Sequence, residues 1–165
     1  MEPATLQDLL VEELKDLYNA EQQMTTALPK MMDAAHSQQL MNAFQEHLSQ
    51  TDTQIRRLDQ VFQMLGESPQ GVHCKGMAGI IAEGEELVTM NPDPDVLDAG
   101  LIAAAQRMEH YEIAAYGSAR TYAKEMGKAD IARMLQETLD EEGSFDKKLT
   151  RIAEGHVNTR AAAPV

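Results

Sequence analysis

The chain has no tryptophan, three phenylalanines and four tyrosines, so aromatics make up 4% of its 165 residues. Sheet proteins lean on aromatic and β-branched side chains, and their scarcity argues against a β fold. The core must be built from Ala, Leu, Ile and eleven Met, which is helix-forming material. One cysteine, Cys74, offers neither a disulfide framework nor a thiolate zinc cluster, and it fits a reducing compartment. Positive charge is short: 14 Lys and Arg stand against 27 Asp and Glu, for a formal net charge of −13. Such a surface repels nucleic acid and anionic membranes, and the scattered basic residues form no patch that would reverse this. No apolar run approaches the roughly 20 residues of a membrane span. The N-terminus lacks the basic-then-apolar pattern of a secretory signal. The expectation is a soluble, cytoplasmic, single domain over residues 1–155, with the patternless HVNTRAAAPV (156–165) a disordered tail.

What is present is helical periodicity. From Thr5 to Ala35, apolar residues recur three or four apart: Leu10, Leu14, Leu17, position 21, Met24, Leu28, Met31 and Ala35. Pro29 is expected to kink or divide this helix. Ser37 suits the N-cap of a second helix over about 38–65, with Leu40, Phe44, position 47, Thr51, Leu58 and Leu65 inward and Gly66 ending it. Residues 66–95 hold five glycines and three prolines and read as a long connection carrying a short helix, Met77 to Thr89. A third long helix begins near Pro94 or Asp95, with Ile102, Ala105, positions 109 and 112, Tyr116, Ala119 and Ala123 inward. Gly127 marks a tight turn into a fourth, about 130–154, with Ile131, Leu135, Thr138, position 142, Phe145, Leu149 and Ile152 inward. Two helical hairpins joined by one long crossover give the connectivity of a ferritin-like antiparallel four-helix bundle.

The positions left open in these seams are Glu21, His47, Glu109, Glu112 and Glu142. Gln50 follows His47 by three residues, as Glu112 follows Glu109, so each pair shares a helix face. Taken singly, each has a plainer account: a glutamate at the stripe's edge with its carboxylate in water, or an interior histidine with its hydrogen bonds met. Together they place polar groups at core-phase positions on all four helices. Four carboxylates in one dry layer repel one another and are costly to bury, and no seam carries Lys or Arg at that height. Two divalent cations would balance the four negative charges, and oxygen donors with an imidazole suit Fe or Mn. Tyr18 and Tyr116 are candidates for hydroxyls near the site, although packing with a satisfied hydroxyl is the plainer account of both. His110 lies about 100° from Glu109 around the helix, which suits a supporting hydrogen bond better than ligation. The methionines read as soft core filler and Cys74 as an inert thiol.

The stretches LKDLYNAEQQMTTALPKM, HLSQTDTQIRRLDQVF, CKGMAGIIAEGEEL, LIAAAQRMEHYEIAAYGSA and MLQETLDEEGSFDKKL resemble the YciE/YciF family of ferritin-like stress-associated proteins, over about residues 5–154. The resemblance implies a ferritin-like bundle, a dinuclear Fe or Mn centre and a homodimer. It carries over to Glu21, His47, Glu109, His110, Glu112 and Glu142, with Asp146 a weaker partner one turn after Glu142. The pattern departs at Gln50, where relatives usually have Glu, so one of the two metal sites is expected to be weaker. The expected function is a dinuclear metal protein reacting with O₂ or peroxide, by Fe(II) oxidation or peroxide detoxification. Two alternatives stay open: a degenerate-site dimeric structural or interaction module, and an acidic partner-binding bundle whose seam glutamates reach solvent.

Overall fold

The computed structural model describes residues 3–163. Its helices are α1 (Leu6–Ala34), α2 (Gln38–Leu65), α3 (Lys75–Met90), α4 (Pro94–Glu125), α5 (Ala129–Ile152) and α6 (Asn158–Ala161), with a π-helical turn, Ala153–Val157, between the last two. No strand occurs among the described residues.

Local chemistry sets the ends of these helices. Thr5 and Asp8 form a reciprocal capping box at the start of α1. Ser37 accepts from the Leu40 amide to cap α2. Asp93 caps α4, with Pro94 at the first helical position, where its missing N–H costs nothing. Gly66 and Gly127 stop α2 and α4 with φ of 70° and 71°, a conformation that disfavours any residue with a Cβ. Pro29 does not divide α1 as expected. One ladder bond is lost there, but Leu28 and Met31 on either side are buried and hold the helix to its neighbours.

α1 and α2 pack together, as do α4 and α5; α1 also packs on α4, and α2 on α5. α3 lies against α4 and α1. A methyl at Gly100 would meet the end of the Leu87 side chain, which would have to shift to admit it. Cys74 caps α3 through its sulfur, is fully buried, and donates its thiol to the Tyr111 hydroxyl (3.1 Å). Burial pushes its thiol pKa up, which keeps it protonated.

The C-terminal segment departs from the expected disordered tail. Residues 156–161 continue in helical conformation, and Val157 is buried against the apolar cluster that contains Leu149 and Ile152. One apolar residue in a polar stretch is too weak a periodic signal to read from sequence, yet it anchors the turn. Residues 164–165 of that expected tail lie outside the described residues.

The interior is not one continuous apolar core. One cluster gathers Leu10, Leu14, Leu17, Leu58, Phe62 and Leu135. The other gathers Met24, Leu28, Phe44, Met108, Phe145 and Leu149. Glu21, His47, Glu109, Glu112 and Glu142, all fully buried, occupy seam positions between them.

Candidate metal centre

Each of the four long helices delivers its polar residue in phase with its apolar stripe, so burying the stripe buries the polar group. One ligand atom each from His47, Glu109, Glu112 and Glu142 lies within 4.8 Å of all the others. His47 Nε2 is 3.1 Å from Glu109 Oε1 and 3.8 Å from Glu142 Oε2. The imidazole is stacked on Phe145, with centroids 3.9 Å apart and planes at 2°, which fixes its aim. Glu21, from α1, is held by the Tyr116 hydroxyl, which donates to its Oε1 at 2.6 Å.

The electrostatics follow from burial. Desolvation, then the charge of Glu142, pushes the Glu21 carboxyl up to about 8, against a smaller opposing effect of the Tyr116 bond. Desolvation likewise raises Glu109 to about 8, although the adjacent Glu142 carboxyl pulls the other way. Burial drives Glu112 and Glu142 well above the carboxylate range, reinforced by the charge of Glu21 and then Glu142 at Glu112, and by that of Glu109 at Glu142. Burial and the neighbouring carboxylates also hold Tyr116 protonated.

The layer is full of buried atoms with no hydrogen-bond partner: Glu21 Oε2, His47 Nε2, both oxygens of Glu109 and of Glu112, and Glu142 Oε2. Native interiors leave few such groups, and each lacks a compensating interaction worth kilocalories. Carboxylate oxygens plus one imidazole, without thiolate, form a donor set that fits Fe or Mn. The residues therefore fit a divalent metal.

The sequence-derived candidates divide on inspection. His47, Glu109, Glu112 and Glu142 converge, whereas Glu21, held by Tyr116, lies outside that group but near enough for its charge to raise Glu112. Gln50 is only partly buried, and its carbonyl oxygen lies 3.4 Å from His47 Nδ1, the ring nitrogen opposite the one facing the carboxylates. His110 is exposed and pairs with Asp146 (3.2 Å), which also accepts from Gln106. Its phase carries it outward, as the 100° offset requires. Asp146 nonetheless lies close enough to help raise Glu109. Tyr18 is engaged elsewhere, edge-on to Phe62.

Sequence reasoning missed Gln54. It is fully buried, and its amide donates to Glu142 and to Glu141 (3.1 Å). The signal lies in the spacing, since 47, 51, 54 and 58 continue the three-four pattern of α2 and a seam drawn from Thr51 to Leu58 skips one position.

Residues 5–162 match a family model described as a domain of unknown function, DUF892. Protein YciF of Escherichia coli strain K12 is 41% identical over 162 residues, 98% of each chain. The crystal structure of that E. coli stress protein superposes with a TM-score of 0.91, covering 94% of this chain and 99% of the other. YcfI of Rhodopseudomonas palustris, described as a candidate structural protein, is 46% identical with a TM-score of 0.88, covering 90% and 95%. A Xanthomonas campestris protein at 20% identity and a TM-score of 0.75 shares the fold, over 95% and 96%.

Proposed function

Starting from the fact that the chain belongs to the DUF892 family, that of YciF, we propose that it is a ferritin-like dinuclear metal protein acting on O₂ or peroxide. The observation that carries this is the set of partnerless carboxylate oxygens from separate helices facing one imidazole in a dry layer. The pairwise packing of α1, α2, α4 and α5 supports a four-helix bundle of the ferritin type, with α3 on the crossover.

In this reading Glu21, Glu109, Glu112 and Glu142 hold two Fe or Mn ions, with His47 binding through Nε2. Gln50 accepts the Nδ1 proton of His47 and so keeps the lone pair on Nε2 facing inward. Phe145 prevents the ring from turning. The two apolar clusters exclude water and keep the carboxylates at fixed spacing. The bound metals would supply the redox chemistry toward O₂ or peroxide, in Fe(II) oxidation or peroxide removal under stress. The protein acts in the cytoplasm as a homodimer. No helix among the described residues is long and apolar enough to cross a membrane.

Anaerobic loading with Fe(II) or Mn(II), desalting and elemental analysis tests the reading. Two ions per chain support it, and a metal-free protein after loading refutes it. A second reading, a structural or interaction module with a vestigial site, is favoured by the neutral amides Gln50 and Gln54 on α2, where a further carboxylate would complete the ligand set. It predicts dimers by light scattering and no retained metal.

A further inference from the structure

An ion pair between α2 and α5 is joined to the buried layer by hydrogen bonds. Arg57 of α2 grips Glu141 of α5 with two bonds of 2.9 Å, from separate guanidinium nitrogens to separate carboxylate oxygens. The same guanidinium donates to the Thr138 hydroxyl at 2.6 Å. Behind this pair lies Gln54, whose amide nitrogen reaches both Glu141 and Glu142. Its carbonyl oxygen is buried without a partner. A continuous hydrogen-bonded chain thus runs from Arg57 through Glu141 and Gln54 to a candidate ligand. On the outer side, Arg57 lines an open cleft of about 390 Å³ between α2 and α5, with Thr53, Arg56, Gln60, Arg133 and Glu137.

We infer that the Arg57–Glu141 pair is a latch over the port through which divalent cations reach the candidate metal centre, with Gln54 transmitting its state to Glu142. The inference rests on the dinuclear reading. Both side chains are long and only partly buried, and Arg57 borders the cleft, so the pair can part toward solvent. Such a pair is strong enough to stay closed most of the time and weak enough to open thermally. Opening uncovers Gln54 and frees its amide from one of its two acceptors.

The test uses two variants that break the latch from opposite sides, Arg57→Met and Glu141→Gln. Neither changes a residue placed among the ligands, and circular dichroism checks the fold. Metal-free protein is mixed with Co(II) in a stopped-flow instrument, and loaded protein is mixed with excess EDTA. A latch predicts that loading and extraction rate constants both rise by about tenfold in both variants, leaving affinity nearly unchanged. The two variants shift local charge in opposite directions. Rates that move oppositely in the two would assign the effect to charge attraction and overturn the latch, as would unchanged rates. A second readout needs no metal: deuterium exchange at the imidazole C2 of His47, read by mass spectrometry with exposed His110 as reference. Both variants are expected to speed exchange at His47 alone. If the parent protein takes up no Co(II), the dinuclear reading fails by itself. The latch is then judged on this exchange, and an unchanged His47 rate overturns it.

Discussion

The metal-free protein is expected to lose stability as pH rises through neutrality, and the size of the loss can be worked from the buried layer. Glu21 ionises near 4.5 when exposed in the unfolded chain and near 8 in the fold. Between those values the folded state binds the extra proton, so its stability falls with pH. The contribution is fully present below about 4.5, declines steadily, and is gone above about 8. For Glu21 alone the change is roughly 5 kcal/mol. Glu109 ionises in the same window. A domain of this size has only about 5–15 kcal/mol in total. At about 2–4 °C per kcal/mol, the melting temperature of chelator-treated protein should drop by about 10–20 °C between pH 5 and pH 8.5. Metal binding requires the carboxylates to be ionised, so loaded protein should show a much flatter profile. Scanning calorimetry at matched ionic strength, with and without EDTA, measures both curves. The chain's net negative charge adds repulsion to both, and their difference isolates the layer. A chelated protein whose melting temperature is flat or rising over this range would refute a dry, protonated carboxylate layer.

Three further outcomes are expected. Glu109→Ala removes two of the partnerless oxygens beside His47 and should abolish tight metal binding in equilibrium dialysis. Gln50→Leu takes the acceptor from His47 Nδ1 and should weaken metal affinity about 10–100-fold without altering the melting temperature of metal-free protein at pH 5. An unchanged affinity would show that Gln50 does not set the tautomer. Asp98→Ala strips the buried carboxylate that accepts from the backbone amides of His36 (2.8 Å) and Ser37 (2.7 Å) in the α1–α2 link. It should cost about 2–4 kcal/mol by urea denaturation while leaving metal stoichiometry intact.

Helices and seams were legible because burial and periodicity are the same fact seen twice. Leu10, Leu14, Leu17 and Leu28 on α1 and Ile131, Leu135, Leu149 and Ile152 on α5 were read as inward and are buried. The interruptions in those seams were legible for the same reason, since a glutamate in a leucine's phase must either escape or find a partner. Legibility ended where side-chain direction, rather than helix phase, decides. Gln50 shares a face with His47, yet which ring nitrogen it meets is a matter of rotamers. Tyr18 and Tyr116 have equal standing as seam hydroxyls in the sequence, and only the packing of Tyr18 on Phe62 separates them. The Arg57–Glu141 pair joins residues on different helices, and no spacing rule links such positions. Asp98 was invisible because its acceptors' partners are backbone amides, which have no sequence signature.

The candidate ligands come from positions as far apart in the chain as Glu21 and Glu142, so no local segment can form the layer before the helices pack. Folding must therefore precede metal binding in space, while the energetics run the other way. At neutral pH the packed, metal-free layer either keeps protons above their usual range or carries unpaired charge. The two apolar clusters on either side resolve this conflict. Each packs residues from all four long helices, so together they hold the frame without help from the layer. The polar layer is then free to be poor at stabilising the protein, as a site kept for a cation would be. A site that was already comfortable without metal, with every carboxylate oxygen satisfied by a hydrogen bond, would gain little from one.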